Sequence, residues 1–417
     1  MRPDRLVTSE RGAVLVQVAI ALVGLMALSA FVIDYGVLWA SRRQAQNAAD
    51  AAAMAGAISM GFVDMNDQAL ARQAAIDVAR ENNVWGQDPN ITAADVTFPA
   101  CPPGSPGAGS NACIQVDLFR NQQRANPLPT FFGRLTNVTA QGVRATATAE
   151  VLYGDSTDCV KPFAIADKWI ENRNDQGAPG WTEEDTFERY VPNGSNAGQL
   201  YSPADYYEAP GQAGGTYQPN GTGFTRDSTG LGGSDHGRRI VLKAGNPNQA
   251  IAPGWYHPVV INPTEGPGGA NYRDNIATCD PTVIGPGTVL DVEPGNMIGP
   301  TNQGIRDLIA QDPGARWDTS LNGGQGGVAG GCMAMATGGC ALSPRLVAIP
   351  VFNPDAYDAG RASGRITINV VKILGFFIEG MQGQDVIGYL TTYPSAPRSG
   401  TSTTPGAAFV ISIALVR

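Results

Sequence analysis

Residues 11–60 read RGAVLVQVAIALVGLMALSAFVIDYGVLWASRRQAQNAADAAAMAGAISM. The first part, Gly12–Ile33, holds 22 residues with no charge and one strongly polar side chain, Gln17. About 20 apolar residues suffice for a helix to cross roughly 30 Å of hydrocarbon. A signal-peptide core is usually only about 7–15 residues long, so the run reads as a transmembrane helix. Small residues at Ala27–Ala30 leave a cleaved signal peptide as the alternative. The run stops at Asp34, at the outer end of the span, where water still reaches a carboxylate and no special role is required of it. For Gln17, inside the span, a helix–helix hydrogen bond or simple tolerance is expected.

The helix does not stop at the membrane. After Pro3 no proline occurs until Pro89, and proline is what interrupts helix interiors. Ser41–Ala57 is built from strong helix formers. A continuous helix from Gly12 to Met60 is roughly 73 Å long, and more than half of it lies beyond the bilayer. Ala45, Ala49, Ala53 and Ala57 make one stripe, with Ala48, Ala52 and Gly56 beside it. Small residues at this spacing admit a close neighbouring backbone. That neighbour is either the domain's own sheet or another subunit, which leaves self-association through the Ala-rich helix open. A second amphipathic helix is expected over Asn66–Asn83.

From Ile91 the pattern changes. Cys113–Leu118 and Val143–Leu152 alternate apolar and polar residues as half-buried strands do. Between Tyr153 and about Leu342 regular signals thin out, with short strands at Arg239–Leu242 and Trp255–Ile261. Seven tyrosines fall between Tyr190 and Tyr272. They supply either a small core or an adhesive surface. The end of the chain, Arg345–Phe352, Ile366–Ile378 and Ala408–Val416, is strand-like, and Lys372 and Glu379 suggest one wet face or edge.

The composition excludes several functions. The net charge is -9, which gives no attraction for nucleic acid. Neither a phosphate-binding G-x-x-x-x-G-K-[ST] loop nor an H-E-x-x-H zinc motif is present. Ser234-Asp235-His236 is contiguous, and residues adjacent on a loop cannot take the nucleophile–base–orienter geometry. Gly324–Ala329 fits G-x-G-x-x-A without the strand and helix that a dinucleotide site needs. The acidic groups Glu183, Glu184, Asp185 and Glu188, and Asp355 and Asp358, read as solvated, with an irregular calcium site as the sharper alternative. No catalytic residue, cofactor or metal is expected. Cys101, Cys113, Cys159, Cys279, Cys332 and Cys340 all follow the apolar run, which suits an oxidising compartment. Neighbours suggest Cys101–Cys113 and Cys332–Cys340, leaving Cys159–Cys279, although connectivity cannot be deduced from sequence alone. Three arginines before the run against Arg42 and Arg43 after it give a weak positive-inside signal, with the N-terminus in the cytoplasm.

Three stretches together carry a family resemblance: Arg11–Gly12 before the span, Val32-Ile33-Asp34-Tyr35-Gly36 at its end, and Gln46-Asn47-Ala48-Ala49-Asp50-Ala51-Ala52-Ala53-Met54-Ala55-Gly56-Ala57. This segment resembles the N-terminus of TadE/TadG-like pilus-assembly proteins. Phe131-Phe132-Gly133-Arg134-Leu135 and the Val143–Val151 strand are similar to the same proteins, and Asp158–Phe163 and the C-terminal strands to their longer, TadG-like members. The resemblance implies a component of the tight-adherence (Flp) pilus and secretion machinery, tied to surface attachment and biofilm formation. It implies a bacterial inner-membrane anchor with a periplasmic or surface-facing bulk. Type IV pilin-like precursors are cut after a glycine and carry a glutamate at the fifth following position. Gly12 and Ala13 would flank that cut here, and Gln17, which has no carboxylate, holds the fifth position. An uncleaved anchor is therefore expected.

The combined expectation is an α+β protein. Residues 1–11 form a cytoplasmic tail, 12–33 the transmembrane helix, 34–152 a TadE/TadG-like helical and α+β region, and 153–417 a loop-rich, mainly β extracytoplasmic domain. The expected function is non-enzymatic anchoring or stabilisation of a pilus complex, with the inner membrane and other machinery proteins as partners and no nucleic acid. The alternatives are an adhesin acting through the tyrosine-rich region and a minor pilin processed after Gly12.

Overall fold

A computed structural model describes residues 11–63, 67–173, 178–179, 185–209, 221–226, 233–246, 249–331, 342–363, 366, 368–395 and 406–416. The architecture is α+β: a long apolar N-terminal helix followed by a strand-rich mixed part. The chain forms two compact units, Met1–Val151 with Ile413–Arg417, and Leu152–Ser412.

The first unit is organised by helix α1, Arg11–Ile58, unbroken over 48 residues. It ends in a wider turn over Ser59–Val63. Helix α2, Gln68–Glu81, opens on Asp67, whose side chain accepts the Leu70 N–H at 2.9 Å. Three antiparallel strands follow: β1 (Val96–Thr97), β2 (Cys113–Arg120) and β3 (Val143–Gly154). Cys113 stands opposite Glu150 and Arg120 opposite Val143. Alternation sends Ile114, Val116 and Leu118 into the core, as the period of two requires. α1 packs on α2 and β2. Cys101 is bonded to Cys113, closing a turn-rich loop at the start of β2.

The second unit is a barrel. Its strands are β4 (Phe163–Ala166), β5 (Arg239–Ala244), β6 (Trp255–Pro258), β7 (Val289–Leu290), β8 (Leu346–Phe352), β9 (Ile368–Gln382) and β10 (Asp385–Thr391). The order β9-β8-β4-β6-β5-β10 closes on itself because β10 also pairs with β9, while β7 adds to the start of β9. The 15-residue β9 makes this possible, pairing with β8 over Val370–Phe377 and with β10 over Gly375–Gln382. Closure removes free edges. Alternate residues, Phe163 and Ile165, Ile240 and Leu242, Val347, Ile349 and Val351, Leu374, Phe376 and Ile378, form one buried cluster. Helices α3 (Gly269–Ala277) and α4 (Ile298–Gln311) contribute Tyr272, Ile276, Ile305 and Leu308 to it. Cys159 is bonded to Cys279, just past α3.

Several expectations are corrected. The stretch after Tyr153 contains four strands of the barrel sheet, β4 to β7, and two helices, so it is more regular than its glycine and proline content suggests. A short helix α5, Pro354–Ala362, lies between terminal strands, capped by Asn353 with Pro354 in its first turn. Lys372 does not mark a wet face. It is 4% exposed, with its Nζ 3.2 Å from Asp167 and donating to the Phe224 carbonyl at 2.8 Å. The last strand, Val410–Val416, carries residues from 413 onward back to the first unit.

Candidate functional site

The most organised feature outside a core lies where the apolar run of α1 ends. Val14, Leu15, Ile20, Leu25, Leu28, Phe31 and Val32 are each more than half exposed. The helix is long and apolar enough to cross a membrane. Burial begins at Val37. Between these regimes sits Asp34. Its carboxylate accepts the backbone N–H of Phe131 at 2.7 Å, of Phe132 at 3.1 Å and of Gly133 at 2.6 Å. Gln141 donates its side-chain amide to the Asp34 carbonyl at 3.4 Å and to the Pro129 carbonyl at 3.2 Å. The amides, the one from Phe131 foremost, hold the Asp34 carboxyl below the usual carboxylate range, because hydrogen bonds to the charged form favour it. Asp34 thus has a definite role that its place at the end of the span did not disclose. It ties α1 to a loop about a hundred residues further along the chain.

That loop is preformed. Leu128–Pro129 pair with Ala140–Gln141, and a short turn of 3-10 helix spans Gly133–Thr136. Thr130 donates its hydroxyl to the Val138 carbonyl at 2.9 Å, and the Val138 N–H meets the Gly133 carbonyl at 2.8 Å. A Cβ at Gly133 would stand 2.9 Å from the Val138 carbonyl oxygen, so only glycine fits. The signal was present in the sequence as Asp34 and Phe-Phe-Gly, separately. Nothing in their spacing says that they meet.

Gly12 and Ala13 lie within the backbone of α1, and Gln17 is exposed on it. Ala45, Ala49, Ala53 and Ala57, and Ala48, Ala52 and Gly56, are all buried inside the first unit. The chain's own α2 and β2 cover α1 there, so of the two neighbours expected for these stripes the chain's own domain is the one packed on them. The close approach is tightest at Gly56, where a Cβ would meet Ile114 Cδ1 at 2.3 Å and the Ala71 carbonyl oxygen at 3.1 Å. Cys332 and Cys340 lie outside the described residues, as do Glu183, Glu184 and Tyr217.

Several polar residues of the second unit are buried with partners inside it. Asp235 pairs with Lys168 at 2.6 Å and with Arg238 at 2.7 Å. The ring of His236 meets Thr391 Oγ1 at 3.2 Å, and burial, then Arg226, lowers its pKa to about 4. Ser234, Asp235 and His236 therefore point their side chains to different partners. His257 is wedged against Phe352 and Tyr357, its pKa lowered to about 4 by burial. Those of the acidic groups read as solvated that lie among the described residues are otherwise engaged. Asp185 is buried, and Asp358 is buried with the N–H groups of Arg189 and Tyr190 and the Arg361 side chain on it. Among the described residues no cluster of histidine, cysteine, aspartate or glutamate has the arrangement of a metal site. Of the seven tyrosines, Tyr207, Tyr256 and Tyr272 are core residues, and Tyr206 is exposed.

Comparison with known proteins gives one match. Residues 12–59 fit the Tad family model, described as "Putative Flp pilus-assembly TadE/G-like". The matched segment is therefore α1 almost end to end, including Asp34 and both small-residue stripes. No curated protein and no solved structure matches the chain.

Proposed function

We propose that this protein is a non-enzymatic, single-pass membrane component of tight-adherence (Flp) pilus assembly, in which α1 anchors the two extracytoplasmic units. The observation that carries the reading is the Tad match over residues 12–59, coinciding with a helix exposed and apolar over its first half and packed by one face into a folded unit over its second. The positive-inside arginines and the Cys101–Cys113 and Cys159–Cys279 bonds support a cytoplasmic N-terminus and an oxidising compartment for the bulk. A glutamine at position 17, which supplies no carboxylate, favours an uncleaved anchor.

The test is mass spectrometry of the native N-terminus in fractionated cells. An intact N-terminus in the inner membrane supports the reading. A chain beginning at Ala13 in sheared pili makes the protein a minor pilin. One beginning near Phe31 in the medium removes the anchor and moves an adhesin to the front. Deletion of the gene should reduce surface attachment, with complementation by the full chain and not by a chain lacking residues 12–33.

A further inference from the structure

We propose that the Phe131–Gly133 loop, with Tyr35, Trp39 and Val138, forms a lipid-facing foot that seats the first unit on the interfacial layer of the bilayer. This rests on the reading that α1 crosses that bilayer. The depth of the loop follows from Asp34, the first residue beyond the apolar run. Its carboxylate grips three successive loop amides, so the loop lies level with the end of the span.

The side chains displayed at that level suit lipid better than water. Phe131 is 56% exposed, Phe132 39%, Val138 50%, Tyr35 57% and Trp39 54%. Grouped apolar exposure of this kind marks an interaction surface. Trp39 lies about 7.5 Å up the helix axis from Asp34. The interfacial layer on each side of the hydrocarbon is on the order of 5–8 Å thick, so the aromatic set fits within it. Aromatic rings concentrate in that layer. The charges there match lipid phosphate. Arg43 folds onto Trp39 with its guanidinium carbon 4.9 Å from the ring centroid, which brings the charge to the level of that ring, and Arg134, in the loop, is exposed. The Asp34 carboxylate is turned inward on the loop amides. A chain with net charge -9 thus presents arginines at the level where anionic headgroups stand.

The test uses the full chain reconstituted in bilayers containing phosphatidylglycerol. An environment-sensitive fluorophore is placed by amber suppression at one position at a time: Val138, Leu22 within the span, or Gln87. Gln87 adjoins Trp85, whose N–H is held by Gln44, about 15 Å above Asp34 along the helix. Nitroxide lipids labelled near the headgroup or near the acyl terminus act as quenchers. The expected result is loss of emission at 138 with the headgroup nitroxide and at 22 with the acyl-terminal nitroxide, with Gln87 unaffected. If 22 is quenched and 138 behaves like Gln87, the foot is wrong and the anchor stands. If 22 is not quenched, the anchor and the foot fail together. A photoreactive phenylalanine at 131, introduced into the chain expressed in its native cells, supplies an independent readout. Cross-linking to lipid supports the foot, and cross-linking to a neighbouring pilus protein instead overturns it.

Discussion

Gly56→Ala should destabilise the first unit, although alanine is the better helix former. In an exposed helix the exchange stabilises by about 1 kcal/mol. Gly36 in the same helix meets that condition, since a Cβ there has nothing within 4 Å. At Gly56 the new methyl lands 2.3 Å from Ile114 Cδ1, 3.1 Å from the Ala71 carbonyl oxygen and 3.3 Å from Ala75 Cβ. Ile114 is fully buried, so its side chain has nowhere to swing. The carbonyl belongs to α2 and moves only with that helix. Overpacking of this kind costs about 1–3 kcal/mol. The net loss is up to about 2 kcal/mol once the helix gain is subtracted, or on the order of thirtyfold in an opening equilibrium. The assay is hydrogen exchange with mass spectrometry on the full chain in lipid nanodiscs, following the amides of α2, Gln68–Glu81. Gly56→Ala should speed their exchange, while Gly36→Ala leaves them unchanged and slows exchange in the turns around it. Equal or better protection of α2 in Gly56→Ala would refute the argument that this glycine exists to let α2 and β2 approach.

Asp34→Asn should raise exchange at the Phe131, Phe132 and Gly133 amides at neutral pH, since it removes the charge they point at. In the native chain Asp34 titrates below the usual carboxylate range. Its stabilising contribution is therefore full at neutral pH and lost only as the pH falls through that depressed value, so exchange corrected for its intrinsic pH dependence should rise only in acid. Lys372→Met removes the ammonium ion-paired with the buried Asp167. Breaking such a pair costs about 3–5 kcal/mol, and the lower end is expected because Phe224 N–H and the Tyr207 hydroxyl still donate to Asp167. The urea midpoint of the second unit reads this. Asp167→Asn with Lys372→Met should recover part of the loss. The chain-entropy estimate sets the loss of Cys159–Cys279, with a separation of 120 residues, at about 5 kcal/mol against about 3 for Cys101–Cys113, with a separation of 12. Denaturation of Cys-to-Ser pairs should show the second unit more affected than the first.

The described residues between 11 and 81 were legible because one local signal governed them. Absence of proline, an uncharged run and small residues four apart all describe a helix whose environment changes along its length. The barrel was not legible, because its closure depends on β9 pairing with two strands at once, and pairing is non-local. α4 was hidden by its own glycines and proline. Pro300 sits in the first turn, where a missing N–H is harmless. Gly304 lies where α3 packs, its place for a Cβ only 2.8 Å from Ile276 Cβ. Residues that read as breakers were a helix start and a helix crossing. α5 could have been found, since Asn353 followed by Pro354 is a helix-start signal. Lys372 misled for a plainer reason: a lysine in a strand is usually wet, and its partner Asp167 is some two hundred residues away.

The clamp at Asp34 also limits how the matched segment can be used. Burial of α1 begins at Val37, about 4.5 Å along the axis from Asp34. No free stalk of helix therefore stands between the apolar run and the first unit. The small residues that suggested a helix surface open to partners are covered by α2 and β2. A partner that engages this protein through α1 reaches it along the exposed run that carries Gln17 or on the face that leaves Tyr35, Trp39, Arg42 and Arg43 exposed, and not through the small-residue stripes. Because α1 is one unbroken helix through Asp34 and into the core, a displacement or rotation imposed on the run is passed to the first unit without a hinge to absorb it.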